Sequence, residues 1–175
     1  MIEQNRHVDP STQALAFATE VDASPIATLR AAAAAHLTRT FGEGHWSHNV
    51  TERAVRRDLK TARVLVARRG PSIVATMTLA TTKPWAIDLG YFTAVPRALY
   101  LQAMAVAPEL QRQGIGRDLV RDAVAVARAW PSQAVRLDAY DASAGAGAFY
   151  AKCGFREVGR VTYRTVPLIY FELLL

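Results

Sequence analysis

A single cysteine, Cys153, stands in 175 residues. No internal disulfide is available, and nothing in the thiol content points to an oxidising compartment. Long apolar runs are missing too: none approaches the ~20 residues that span a bilayer. The first eleven residues are too polar for a secretory signal. The expectation is a cytoplasmic protein without a membrane partner. Acidic residues are the minority, 15 Asp and Glu against 21 Lys and Arg, which leaves a formal charge of +6. That balance concentrates anionic ligands near the surface. The basic residues are not clustered among aromatics, however, and Arg56-Arg57 and Arg68-Arg69 are the only basic doublets. No nucleic-acid partner is expected. The one close histidine pair, His45 and His48, is joined by no cysteine, so no metal is expected either.

What is present is an ordinary globular composition, 51% hydrophobic and 21% charged, at a length that suits one domain with a real core. We expect a single domain over 1–175, with 1–11 as a loose N-terminal arm. A first strand is predicted over 13–19. A helix follows from the Asp22-Ala-Ser-Pro25 start to the glycines at 42 and 44. Asn49 with Glu52 has capping-box spacing and opens a second helix to about Lys60. Residues 63–67 and 72–79 form a hairpin across Gly70-Pro71. Residues 83–97 read as a long ordered loop or a short extra strand. Strand 98–107, a helix to about Trp130, strand 134–140 and a helix over 142–152 come next. The last two strands, 155–162 and 166–174, close on Arg164-Thr165.

The stretch 100–117 carries the chemistry. An apolar strand meets Pro108, and Gln111-Arg-Gln-Gly-Ile-Gly116 leads into a helix. The first N–H groups of that helix lack intrahelical acceptors, and its dipole adds partial positive charge. A phosphate satisfies both. A nucleotide P-loop would need Gly-Lys-Ser/Thr where Gly116-Arg117-Asp118 stands. A dinucleotide fingerprint would need a third glycine near Val120-Arg121. A plain tight turn and a phosphate loop both remain.

A second constellation shifts the balance towards the phosphate loop: Phe149-Tyr-Ala-Lys-Cys-Gly-Phe155 begins 33 positions after Gly116. Glutamine-x-x-glycine-x-glycine followed by tyrosine-x-lysine-x-glycine-phenylalanine resembles the GNAT superfamily of acyl-coenzyme A-dependent N-acetyltransferases. The element order also resembles it across nearly the whole chain. The resemblance implies an α/β fold, a twisted mixed sheet of six to seven strands flanked by about four helices. It implies acetyl-CoA as cosubstrate and direct attack of an amine in a ternary complex. The motif strand would part from its parallel neighbour to admit pantetheine, with main-chain contacts from Met104 and Val106. The Val106 N–H would meet the thioester oxygen. Backbone N–H groups of Arg112, Gln113, Gly114, Ile115, Gly116 and Arg117 would hold the pyrophosphate. Ser143 stands where family members often carry a cofactor-binding asparagine, and Tyr150 matches the general acid.

The base is not given by the motif, because Tyr100-Leu101-Gln102 carries no carboxylate. Asp138 on the neighbouring strand, His45 and His48 are candidates, with a water relay as the default. Trp46, Trp85, Tyr91 and Phe92 either line an acceptor site or belong to the core. The acceptor, a small-molecule or peptide amine, is not legible. Without a carboxylate early in the motif strand, a coenzyme A-binding regulatory or structural domain is the competing reading. The apolar end, 168–175, is either a buried strand or an edge that pairs with a second chain as a homodimer.

Overall fold

Alternating residues of period two and stripes of period 3.6 divide the chain into strands and helices. A computed structural model describes residues 14–48 and 50–175; the expected arm at 1–11 lies outside them. The elements in order are β1 (Ala14–Phe17), α1 (Ala23–Phe41), α2 (Glu52–Thr61), β2 (Arg63–Arg69), β3 (Ser72–Ala80) and β4 (Ala98–Val106). α3 (Ile115–Ala129), β5 (Ala134–Tyr140), α4 (Gly147–Lys152), β6 (Arg156–Tyr163) and β7 (Val166–Leu174) complete the chain. The strands form one seven-stranded sheet in the order β1-β2-β3-β4-β5-β7-β6. Every neighbouring pair is antiparallel except β4 and β5, which α3 joins as a crossover. The mixed α/β architecture is the one expected.

Two apolar layers fix the helices. Ile115, Leu119, Val120, Ala123 and Ala127 recur on one stripe of α3 and bury against Leu65, Met77, Leu79, Val135 and Leu137 of the sheet. Ile26 and Ala27 of α1 and Val55 of α2 pack instead with Val64 and Val66, the alternate residues of β2. Arg30 is only 7% exposed. It reaches Asp58 of α2 and Thr78 of β3, both at 3.0 Å. Those bonds hold the face of α1 on which Ala33 and Leu37 also lie, three and seven residues further on.

Several boundaries differ from expectation. Gln13 and Asn49 lie outside the described residues; the cap of α2 is Thr51, whose hydroxyl accepts from the Ala54 N–H at 3.3 Å. Residues 83–97 form no strand and contain one 3-10 turn at Leu89–Tyr91. The loop is anchored by buried Ile87 and Phe92 and by the Tyr170 hydroxyl, which donates to the Ala86 carbonyl and accepts from the Asp88 N–H. Buried Glu172 secures its far end, taking bonds from the Thr93 hydroxyl at 2.6 Å and Arg136 Nε at 3.1 Å. The helix expected over 142–152 is only α4. Its first turn is lost because Gly145 folds back on the sheet: its N–H donates to the Ala142 carbonyl, and a Cβ there would lie 1.9 Å from the Tyr140 carbonyl oxygen. The apolar end is an inner strand. β7 has β5 on one side and β6 on the other, so it offers no free edge to a second chain.

Candidate active site

The sheet opens at its one parallel seam. β4 and β5 pair only through Ala98–Tyr100 and Ala134–Arg136, and beyond them no pairing is present among the described residues. Ala103 explains the parting: it has φ +49°, beside a register shift between Thr76 and Thr78 of β3. A bulge of this kind bends the strand away from its neighbour. The Ala107 N–H donates to the Val74 carbonyl on β3 at 2.9 Å. Strand alternation therefore turns the Val106 and Met104 N–H groups to the side that β5 has left. The Val106 carbonyl, facing the same way, accepts from the Gln111 side-chain amide at 3.3 Å.

The helix after β4 begins with two glycines of different purpose. Gly114 has φ +88°, and nothing lies within 4 Å of a Cβ built there; its requirement is conformational. Gly116 sits at a close approach: a Cβ there would lie 3.1 Å from Met104 Cε and 3.3 Å from the Phe149 ring, so those side chains would have to give by a few tenths of an ångström. The first intrahelical bond runs from the Asp118 N–H to the Gly114 carbonyl at 3.1 Å. The N–H groups of Ile115, Gly116 and Arg117 precede it and have no helical acceptor. Gly114→Ala should cost about 1 kcal/mol of stability, the penalty for a left-handed alanine. Urea denaturation reads this; unchanged stability would mean the loop adopts another conformation freely.

A cavity of about 610 Å³ joins the parted strands to this helix start. Met104, Val106, Gly114, Gly116 and Tyr150 line it, and Arg112, Arg117 and Lys152 bring positive charge to its wall. Tyr150 is 7% exposed, its ring edge-on to Phe149 and Phe155. Its hydroxyl donates to Met104 Sδ at 3.6 Å. Burial pushes the phenol far above its ordinary range, and the nearby Cys153 and Asp138 groups push the same way. The phenol keeps its proton at neutral pH.

Asp138 sits on β5 two residues past the last β4–β5 pair. Burial raises its carboxyl above the usual carboxylate value, and among the described residues it has no ion-pair partner. Beside it, the Tyr140 hydroxyl donates to the His45 carbonyl at 2.9 Å. The His45 ring stacks on Tyr140 with centroids 6.2 Å apart, and Trp46 meets the same ring edge-on. These contacts dock the 42–48 loop on the end of β5. His48 is exposed.

Of the residues expected from sequence, Met104, Val106, Arg112, Gly114, Gly116, Arg117 and Tyr150 meet on one cavity. Ile115 contributes its backbone alone, since its side chain is core at 1% exposure. Gln113 is exposed and its amide donates to the Glu109 carbonyl. Ser143 is exposed in the turn before α4 and lies outside the cavity wall. Ala33 and Leu37 of α1 also line the cavity and had no sequence signal, because an alanine-rich helix shows no clear stripe. Lys152 had one: it is the cation of the tyrosine motif itself. Phe92 is core, whereas Trp85 is 90% exposed.

With this geometry in view, the comparisons are specific. The chain belongs to the acetyltransferase (GNAT) family, whose model matches residues 27–155. No curated protein matches it in sequence. Among solved structures it is similar to the ribosomal-protein-alanine N-acetyltransferase of Brucella melitensis, at 20% identity and TM-score 0.72, covering 93% of this chain and 99% of that one. It is similar to a GNAT-family acetyltransferase of Listeria monocytogenes, at 17% identity and TM-score 0.73, covering 93% and 95%. A Salmonella typhimurium protein solved with its cofactor acetyl-CoA aligns at 18% identity and TM-score 0.66, covering 93% of each chain. At such identities the likeness establishes the fold. No helix among the described residues is long and apolar enough to cross a membrane.

Proposed function

We propose that the chain transfers an acetyl group from acetyl-CoA to the amine of a small molecule or peptide by direct attack in a ternary complex. The observation that carries this is the open β4–β5 seam. It brings an unpaired backbone edge, a helix N-terminus and a protonated tyrosine to one cavity. The free N–H groups at the start of α3, with Arg112, Arg117 and Lys152, suit the pyrophosphate and phosphate charges of the cofactor. The Salmonella protein of the same fold was solved with acetyl-CoA.

The chain's own groups then have distinct tasks. Asp138 takes a proton from the acceptor's ammonium, and the free amine attacks the thioester carbonyl carbon. The Val106 N–H meets the oxygen as it becomes an oxyanion. When the C–S bond breaks, Tyr150 gives its proton to the departing sulfur, and the second proton lost by the acceptor nitrogen passes through solvent to the phenolate. The products are an amide and the free thiol of coenzyme A.

Acetyl-CoA at a hundredfold excess over its Kd should stabilise the protein by roughly 2.7 kcal/mol, a rise in Tm of about 5 to 10 °C. Thiol release should then be seen with at least one member of a broad amine panel. No thermal shift would exclude cofactor binding. A shift without turnover on any amine would favour a regulatory coenzyme A-binding domain, a reading that the absence of a carboxylate in Tyr100-Leu101-Gln102 sustains.

A further inference from the structure

Tyr150 is the most buried titratable group on the cavity, and a buried hydroxyl requires an acceptor. Among the described residues the only one it has is the thioether of Met104. No carbonyl, carboxylate or amide oxygen takes the bond. A thioether is the weakest acceptor among the common side chains. Yet it is a sulfur, offered to the same hydroxyl that the reaction requires to face a sulfur.

We propose that Met104 is a positioning residue whose thioether holds the Tyr150 hydroxyl in readiness and surrenders it to the sulfur of bound coenzyme A. This rests on the reading that the cavity binds that cofactor. Three features of the site support it. Met104 lies on β4 beyond the Ala103 bulge, so its side chain belongs to the opening and not to the paired part of the sheet. Its terminal methyl rests over Gly116 in the first turn of α3, which places the thioether between the anion-binding helix start and Tyr150 on α4. Methionine is unbranched and flexible, so the side chain can withdraw without moving the strand. Cys153 also lines the cavity, but burial raises its thiol pKa, and it takes no hydrogen bond from Tyr150 among the described residues. Giving up a weak bond costs little. A carbonyl oxygen in the same place would compete with the cofactor for the proton.

The exchange is tested by a double-mutant cycle on coenzyme A binding, measured by calorimetry. Met104→Gln keeps the length of the side chain and supplies a strong acceptor. It should raise the Kd for coenzyme A about fivefold, the worth of one neutral hydrogen bond. Met104→Leu removes the acceptor and leaves the phenol unpartnered in the free protein, so the Kd should fall roughly twofold. Both effects should vanish when Tyr150 is replaced by phenylalanine, because no hydroxyl is left to contest. A steric or folding role for Met104 would change the Kd by the same factor in both backgrounds, and that result overturns the proposal. Should Met104→Gln fail to fold, the Met104→Leu pair decides the question alone. Thiol release is measured separately on the same proteins. If Tyr150→Phe leaves it unchanged, the acid role falls while the binding cycle still judges Met104. Failure of the wild type to bind coenzyme A overturns both.

Discussion

Tyr150→Phe is expected to lower kcat by about 10²-fold or more, the usual share of a positioned general acid. The substitution removes one oxygen and keeps the ring, so the contacts with Phe149, Phe155 and Phe171 persist. The hydroxyl's partner is a thioether at 3.6 Å, so the cost in stability should stay below about 1 kcal/mol. Acetyl-CoA binding should change little beside the loss of rate. The pH profile adds a second check. Burial holds the Tyr150 proton far above the ordinary phenol range, so the wild-type rate should show no Tyr150-linked decline between neutral pH and about pH 9. Thiol release by the phenylalanine variant at the wild-type rate would remove Tyr150 from the chemistry.

Asp138→Asn should combine a loss of activity with a gain in stability. As a general base its removal should lower kcat/KM at neutral pH by about 10²-fold. The stability effect follows from linkage. Burial raises the folded pKa of Asp138 above its ordinary 3.8, so the folded state binds this proton more tightly than the unfolded chain does. No penalty exists below the unfolded value. The penalty grows as pH rises through the folded pKa and is complete above it. Asparagine removes that penalty, so the variant's Tm should exceed the wild type's at pH 7, and the difference should close near pH 3. A lower Tm at pH 7 with activity intact would make Asp138 a structural carboxylate.

Both residues show how far sequence reasoning reaches. Tyr150 was legible because the tyrosine motif is local: six consecutive residues fix its helix and its aromatic neighbours. The glycines at 114 and 116 were legible for the same reason, although their separate demands, one of conformation and one of space, were not. Asp138 was only one candidate among several. It stands two residues beyond the last β4–β5 pair, outside the residues that line the cavity, and that place depends on a bulge at Ala103, an alanine in a strand like any other. Ala33 and Leu37 reach the cavity because buried Arg30 fixes the rotation of α1 through Asp58 and Thr78. Ser143 matched a family position by counting, but the fold of Gly145 against the Tyr140 carbonyl leaves it outside the cavity wall.

By itself the sequence determined the strand and helix order, the glycine-led start of α3 and the tyrosine motif, since each is written in neighbouring residues through periodicity, capping and glycine placement. Only the tertiary structure decided where the sheet opens and that β7 is an inner strand. Those outcomes depend on contacts between residues tens of positions apart. Burial and pairing across the sheet set them, and no local pattern encodes them.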